Sequence, residues 1–159
     1  MGDIFYADLG MNYNPELAYA HPVVVLEEVG ALVLIVPVTT SSDMVTAAYH
    51  PVDNPNGNKL LWRVYSTDGF SKTGAVILSN MRTISKGRLL DKKGGLHGIS
   101  NPRSLFVEIK TKCFEICFPK QYITQLKLEK LVEDLTDDKK RLEKQIEDLQ
   151  KELVELRAK

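Results

Sequence analysis

The chain of 159 residues has few of the features that mark metal proteins, disulfide scaffolds or membrane proteins. Its only cysteines, Cys113 and Cys117, stand four residues apart with no further cysteine or histidine at a spacing that suits zinc. The longest apolar run, ALVLIVPV, is far too short to span a bilayer. The chain opens without a cationic and apolar leader, so we expect a cytoplasmic protein. We also expect the protein to need no metal or cofactor.

The chain also lacks an excess of either charge, because 21 basic residues balance 21 acidic ones. No global field therefore indicates a polyanionic or membrane partner. The segment RTISKGRLLDKK is a local exception, with five cations around a single acid: Arg82, Lys86, Arg88, Lys92 and Lys93 around Asp91. Two interpretations stay open, a phosphate-binding patch and a solvated face that stabilises the fold.

What the first hundred residues do contain is short β-rich segments separated by turn signals. DIFYADLG, PVVVLEE, ALVLIVPVTT, LLWRVYST and GAVILSN each predict a strand, and EEVG predicts a hairpin turn between the second and third. Several short strands with closely spaced turns favour a small barrel or sandwich.

The hydrophobic period changes after residue 100. Ser100 or Asn101 is a candidate cap, and Pro102 suits the first position of a helix. Apolar residues then recur at helical spacing on one face, namely Leu105, Ile109, Cys113 and Ile116. The alternative is a strand over SLFVEIK, which is rich in β-branched and aromatic residues.

The last forty residues carry a leucine heptad. Five leucines stand seven apart at the d positions, Leu128, Leu135, Leu142, Leu149 and Leu156. Val132, Ile146 and Leu153 occupy a positions, and Lys139 is a polar insertion at another. This pattern favours a parallel two-stranded coiled coil over residues 119–159, after a first domain over residues 1–118. The alternative is a single amphipathic helix packed on its own barrel.

Reactive side chains collect at three predicted strand ends. The first group runs from Glu16 to His21, and the second comprises Thr39, Thr40 and the two serines that follow. The third contains Ser79, Asn80 and Arg82. A small barrel would bring the three groups to one rim, although each by itself is also explained by turn and cap chemistry.

Four segments in order, GDIFYADLG, HPVVVL, VPVTTS and VILSNMRTISKGRL, resemble the MazF/PemK toxins of bacterial toxin–antitoxin pairs. The resemblance covers about residues 2–92. It implies an SH3-like β-barrel of the MazF and CcdB type, a homodimer, a cognate antitoxin, and metal-independent cleavage of single-stranded RNA such as mRNA at specific sequences.

The resemblance also implies roles for particular residues. Thr39, with Thr40 beside it, matches the family's hydroxyl after the strand end. Glu16 matches an acid in the loop before the family's arginine that precedes the strand-opening proline. Arg82 matches the arginine of the RTI segment. Cleavage by the ribose 2′-OH needs a base, an acid and donors for the charged phosphorane. In this setting Lys86 and Arg88 become candidate RNA contacts.

Two positions depart from the family pattern. His21 stands where members have an arginine before the strand-opening proline, and Ser79 stands where many have an acid. A histidine exchanges protons near neutral pH, which an arginine does not, so we expect His21 to act in proton transfer or phosphate contact. His50, in a second His-Pro pair, is a further candidate, as is Asn80.

The sequence therefore predicts a mainly β protein with C-terminal helices: a small barrel, a helix and a leucine-zipper-like coiled coil. It predicts an endoribonuclease toxin that uses His21, Thr39 and Arg82, and that dimerises through the barrel and the coiled coil. The alternative is an inactive MazF-like binding module that acts through its coiled coil. A CcdB-like protein that binds a protein target is a weaker possibility.

Overall fold

A mainly antiparallel β-sheet forms most of the fold. The computed structural model describes residues 1–11 and 17–158. The strands are β1 Asp3–Asp8, β2 Ala20–Val29, β3 Leu32–Thr39, β4 Ala48–Tyr49, β5 Asn58–Val64, β6 Gly74–Ile77, β7 Arg82–Ser85 and β8 Leu89–Gly95. The helices are α1 Ser42–Ala47, α2 Leu105–Cys117 and α3 Pro119–Arg157.

The strand order is β4-β5-β6-β3-β2-β1-β8, and β7 pairs with β3 beside this path. All pairs are antiparallel except β4 with β5. The two ends of the order, β4 and β8, do not pair with each other in the residues that the structure describes. The mainly β class with C-terminal helices is confirmed, and the sheet is open where the sequence predicted a closed barrel.

All five predicted strands are present, and the turn between β2 and β3 is tighter than EEVG. Val29 pairs with Leu32, which leaves only Gly30 and Ala31 in the turn. Gly30 has φ +59°, a backbone conformation that suits glycine because it has no Cβ. The sequence did not predict α1, β7 or β8, where polar and charged residues obscure the apolar period, nor β4, which has only two residues.

Side-chain alternation divides the sheet into two faces. Even-numbered residues of β2, β3 and β6, such as Val24, Val36 and Val76, join the core that also contains Ile109 of α2. Odd-numbered residues such as Val23 and Ile35 form separate apolar clusters. The sheet therefore has one face packed with α2 and a second, distinct apolar face.

Helix α2 presents the face that the sequence predicted. Ile109 and Cys113 are fully buried, with Leu105 and Ile116 packed beside them. The predicted beginning at Pro102 was wrong, because the Ser104 hydroxyl accepts from the Val107 N–H at 3.3 Å and the helix begins at residue 105. A serine at this point replaces a backbone partner that the first helical turn lacks.

The chain forms two compact units, Met1–Cys117 and Phe118–Lys159. The first contains the sheet and α2. The second is the 39-residue helix α3, which begins with Pro119 and buries none of its described side chains. None of the helices formed by the described residues combines the length and apolar character that crossing a bilayer requires.

A close backbone approach between β8 and the turn before β6 gives a test of the packing. A Cβ added to Gly94 would lie 2.2 Å from the carbonyl oxygen of Gly69, whereas a Cβ on Gly87 would meet nothing nearer than 3.7 Å. We expect Gly94→Ala to lower the free energy of unfolding by about 1–3 kcal/mol, as overpacking does. Gly87→Ala should leave it unchanged within about 0.5 kcal/mol. Urea unfolding measures both, and equal midpoints for the two variants would contradict the packing described.

Candidate functional site

Three of the polar residues at the predicted strand ends lie on the sheet face opposite α2. His21 shares the side of β2 with Val23, and Thr39 shares the side of β3 with Ile35. Arg82, at the beginning of β7, shares a side with Ile84 of the same cluster. Three neighbouring strands thus place these three residues on one face.

The strand register also brings them to the same end of the sheet. The last β2–β3 pair is Val23 with Pro37, so His21 and Thr39 each lie two residues beyond it. Antiparallel β7 begins with Arg82 opposite Ile35, so Arg82 is the β7 residue nearest to the C-terminal end of β3. We call the group His21, Thr39 and Arg82 the polar cluster.

Arg82 ties the cluster to the segment that precedes β2. Its Nη2 donates to the carbonyl oxygen of Leu17 at 2.8 Å. Leu17 itself packs against both apolar clusters of this face. Arg82 therefore fixes the chain just before His21, which is a positioning role in addition to the charge that it brings.

The environment of His21 favours its neutral form. Partial burial lowers the pKa of His21 below the ordinary 6.5, and the positive charge of Arg82 lowers this pKa further. A hydrogen bond with the backbone of Ala18 opposes the shift. A neutral imidazole at neutral pH is able to accept a proton, which is the property that a general base requires.

Thr39 is the one buried polar residue of the described core, with 6% of its surface exposed. Its Oγ1 accepts from the Ser41 N–H at 3.2 Å, which holds the hydroxyl in place and leaves its proton for donation. Thr40 is exposed beside it, and Ser41 precedes the short helix α1. The Thr/Ser run is therefore a strand end that leads directly into a helix.

Two further predicted site residues, Ser79 and Asn80, precede Arg82 closely in the chain. Ser79 is exposed and Asn80 half-buried, in the 3₁₀ turn Leu78–Asn80 that joins β6 to β7. Glu16 lies outside the described residues.

His50 belongs to a separate network in the loop after β4. Its Nδ1 accepts from the N–H groups of Val52 at 3.3 Å and Asp53 at 3.0 Å. The Tyr65 hydroxyl donates to the Asp53 carboxylate, and its ring meets the His50 ring edge-on at 5.3 Å between centroids. Three strands stand between β4 and β2 in the sheet order. These contacts favour a structural role for His50, because its Nδ1 is already engaged by the backbone.

The basic segment is largely paired within the molecule. Lys86 forms an ion pair with Glu28, and Nη1 of Arg88 donates to the carbonyl oxygen of Asp8 at 3.4 Å. Lys92 pairs with Asp3 at 2.6 Å. These contacts favour a face that stabilises the fold over a patch built for phosphates.

One residue that the sequence analysis did not select is Tyr19. It lies two residues before His21, exposes 72% of its surface and has φ +62°, which is uncommon for a residue with a side chain. Its backbone is held there by hydrogen bonds of 2.8 Å each, from Leu9 N–H to its carbonyl and from its own N–H to Gly10. Only the AYAHP context, an aromatic near a histidine, could have drawn attention to it.

The two cysteines are internal to the α2 packing. Burial raises the pKa of the Cys113 thiol to about 12, and burial also raises the pKa of Cys117. Both are free thiols. Within residues 1–11 and 17–158, no three or more histidine, cysteine, aspartate or glutamate side chains come together as a metal site.

Fold and site together define a small mainly β protein with a helix on one face of its sheet and a polar cluster on the other. The family model described as PemK-like, MazF-like toxin of type II toxin-antitoxin system matches residues 1–101. The chain belongs to this family. Membership makes it a toxin of a type II toxin–antitoxin pair, in a family whose activity is endoribonuclease.

One similar solved structure is the Mycobacterium tuberculosis toxin MazF-mt6. It is 20% identical over 72% of this chain and 97% of that chain, with a TM-score of 0.46. No curated protein sequence matches the chain.

The polar cluster generates a prediction about proton binding. The His21 imidazole should titrate below 6.5, and Arg82→Gln should raise its pKa without restoring the ordinary value, because burial is the larger cause. NMR titration of the histidine Cε1 protons, assigned with His21→Ala, measures both. An ordinary pKa in the wild type, or a fall in the Arg82→Gln variant, would contradict the geometry of the cluster.

Proposed function

We propose that the protein cleaves single-stranded RNA at specific sequences by attack of the ribose 2′-OH, without a metal ion, at the polar cluster. The observation that carries this proposal is the half-buried position of His21 beside Arg82. Burial and the positive charge of Arg82 lower the pKa of His21, which favours a neutral imidazole at neutral pH. Family membership supports the reaction class.

The reaction divides among the three residues as follows. Neutral His21 takes the proton of the 2′-OH as the oxygen attacks the adjacent phosphorus. The 2′-O–P bond forms, the P–O5′ bond breaks, and the proton held by His21 is delivered to the leaving 5′-oxygen. The products are a 2′,3′-cyclic phosphate and a free 5′-OH, so no oxidant, reductant or external nucleophile is consumed.

The charge that develops on the phosphorane needs donors aimed at it. The Thr39 hydroxyl is restrained by the Ser41 N–H, so it donates from a fixed position. The guanidinium of Arg82 supplies positive charge to the same face and holds Leu17 in place. Thr40, Ser79 and Asn80 remain candidates for contacts to the RNA backbone around this cluster.

Substitution of the proposed base tests the mechanism. We expect His21→Ala to reduce kcat by about 10²–10⁴-fold, the usual contribution of a general base, and Thr39→Ala to reduce it as well. The assay is cleavage of a long RNA of mixed sequence in the presence of a chelator, with analysis of the ends. His50→Ala is the control and should retain cleavage, because His50 is placed in a separate network.

The variant His21→Arg separates proton transfer from simple phosphate contact, since it installs the residue that the family has here. If His21 transfers protons, the wild-type rate should rise with pH through the lowered pKa of His21, and this acidic limb should vanish in His21→Arg. Identical pH profiles would leave His21 as a phosphate contact only. A folded wild type that leaves all RNA intact would instead support the inactive binding module.

Tyr19 is proposed to stack on an unpaired base next to the scissile phosphate. Its ring is exposed two residues before His21, and the backbone bonds to Leu9 and Gly10 fix its position. Stacking on an aromatic ring contributes about 1–3 kcal/mol per base, so removing the ring should lower kcat/KM by about 5- to 150-fold.

The pair Tyr19→Phe and Tyr19→Gly tests this role. Phenylalanine keeps the ring and should keep kcat/KM near the wild-type value. Glycine removes the ring yet suits φ +62°, so it should raise Tm while it lowers kcat/KM. Steady-state kinetics on a short fluorescent RNA, with thermal unfolding alongside, measures both effects. Unchanged kcat/KM in Tyr19→Gly would exclude stacking at this position.

We further propose that a cognate antitoxin covers the face of the polar cluster, and that the toxin acts as a homodimer in the cytoplasm. Family membership supports an antitoxin as partner. An antitoxin segment on this face would exclude RNA from His21 directly, which is the simplest way to inhibit such an enzyme.

A further inference from the structure

Helix α3 exposes an apolar stripe from residue 128 to residue 156, interrupted once by Lys139. The stripe comprises the heptad residues Leu128, Val132, Leu135, Leu142, Ile146, Leu149, Leu153 and Leu156. Each of them is between 49% and 70% exposed. Because helices in water owe most of their stability to packing of an apolar face, this helix of 39 residues needs a partner along the stripe.

The spacing of the stripe indicates another helix as that partner. A repeat of seven residues corresponds to 3.5 residues per turn, which keeps a seam facing one helix only when the two helices supercoil. A helix that packs on a globular body follows a period of 3.6 and a broader face. The leucines at the five d positions hold the strict repeat from residue 128 to 156.

We infer that α3 pairs with the α3 of a second copy of this chain as a parallel, in-register, two-stranded coiled coil. Leucine at every d position with Val132 and Ile146 at a positions favours two parallel strands. Lys139 at another a position disfavours larger assemblies, because three or four ammonium groups would crowd one core layer. This pairing is independent of the catalytic proposal.

Charges beside the seam fit this arrangement around Lys139. In a parallel pair, the ammonium group of Lys139 reaches toward Asp138 of the other copy, while its own helix offers Glu143 at 3.7 Å. The Asp138–Glu143 contact across the pair would otherwise be repulsive. Near the C-terminal end, Glu152 and Arg157 meet across the pair as opposite charges. In a pair of identical chains, Lys139 therefore offsets the repulsion between Asp138 and Glu143, and a partner of different charge is not required.

Cysteine cross-linking on the full chain tests both the partner and the direction. Leu128→Cys and Leu149→Cys are prepared as single variants and treated with diamide. In a parallel pair each new thiol at a d position faces the same cysteine of the second chain, within the Cα separation that a disulfide needs. In an antiparallel pair, residue 149 would face residue 132 of the second chain. It would then lie about 25 Å along the axis from residue 149 of that chain.

The matched control is Lys151→Cys, two residues along on the opposite side of the helix. Wild type controls for the native thiols, of which Cys113 is buried and Cys117 half-buried. We expect both d-position variants to give roughly tenfold more disulfide-linked dimer than Lys151→Cys, because only they meet the geometry of a disulfide. Linkage at neither d position, or equal linkage at residue 151, would overturn the inference. Circular dichroism verifies that α3 stays helical in each variant.

A second measurement addresses Lys139 without cross-linking. The helical transition should shift to higher temperature as protein concentration rises, since pairing is a mass-action equilibrium. Lys139→Leu should raise this transition and Lys139→Glu should lower it, because glutamate would join Asp138 and Glu143 in one layer. A transition insensitive to concentration and to both substitutions would show that the stripe does not pair.

Discussion

Strand β3 is the element on which the rest of the structure depends, because it pairs with three other strands. It bonds β2 along its first six residues, β7 at Leu32–Ile35 and β6 at Val38–Thr39. Its even-numbered side chains complete the core with α2. Its odd-numbered side chains lie on the face that carries the polar cluster. A slip of one residue would exchange the two faces, expelling Val36 and Val38 from the core and burying Thr39 there. The hydrophobic core thus fixes the position of the site.

The polar cluster shows how burial changes the chemistry available at one position. An arginine before Pro22 would keep its charge in any surrounding, whereas His21 loses its charge readily when it is partly desolvated beside Arg82. The lowered pKa of His21 therefore favours a neutral imidazole, which is able to accept a proton, where an arginine would be a fixed cation. Arg82 contributes to this change and, through its bond to Leu17, also holds the backbone segment that leads to His21.

The two units of the chain are stabilised in different ways. The first unit buries its apolar residues within itself, as Ile35 and Ile109 show, each with none of its surface exposed. Helix α3 has ion pairs between neighbouring turns, such as Lys151 with Glu147 at 2.9 Å, but no buried residue. Exposed pairs of this kind contribute little, about 0.3–0.5 kcal/mol each. Helix α3 therefore leaves its apolar stripe exposed, which is the observation behind the pairing that we infer.

The sequence by itself determined five strands, the buried face of α2 and the leucine repeat, because these depend on local period and apolar content. It also placed His21, Thr39 and Arg82 at strand ends, where their order resembles the family. Only the tertiary structure decided that these three share one face, that Lys86 pairs with Glu28, and that His50 Nδ1 accepts from backbone N–H groups of its own loop. It alone placed Tyr19 in a left-handed conformation. Such outcomes depend on contacts between residues distant in the chain, whose geometry no local pattern encodes.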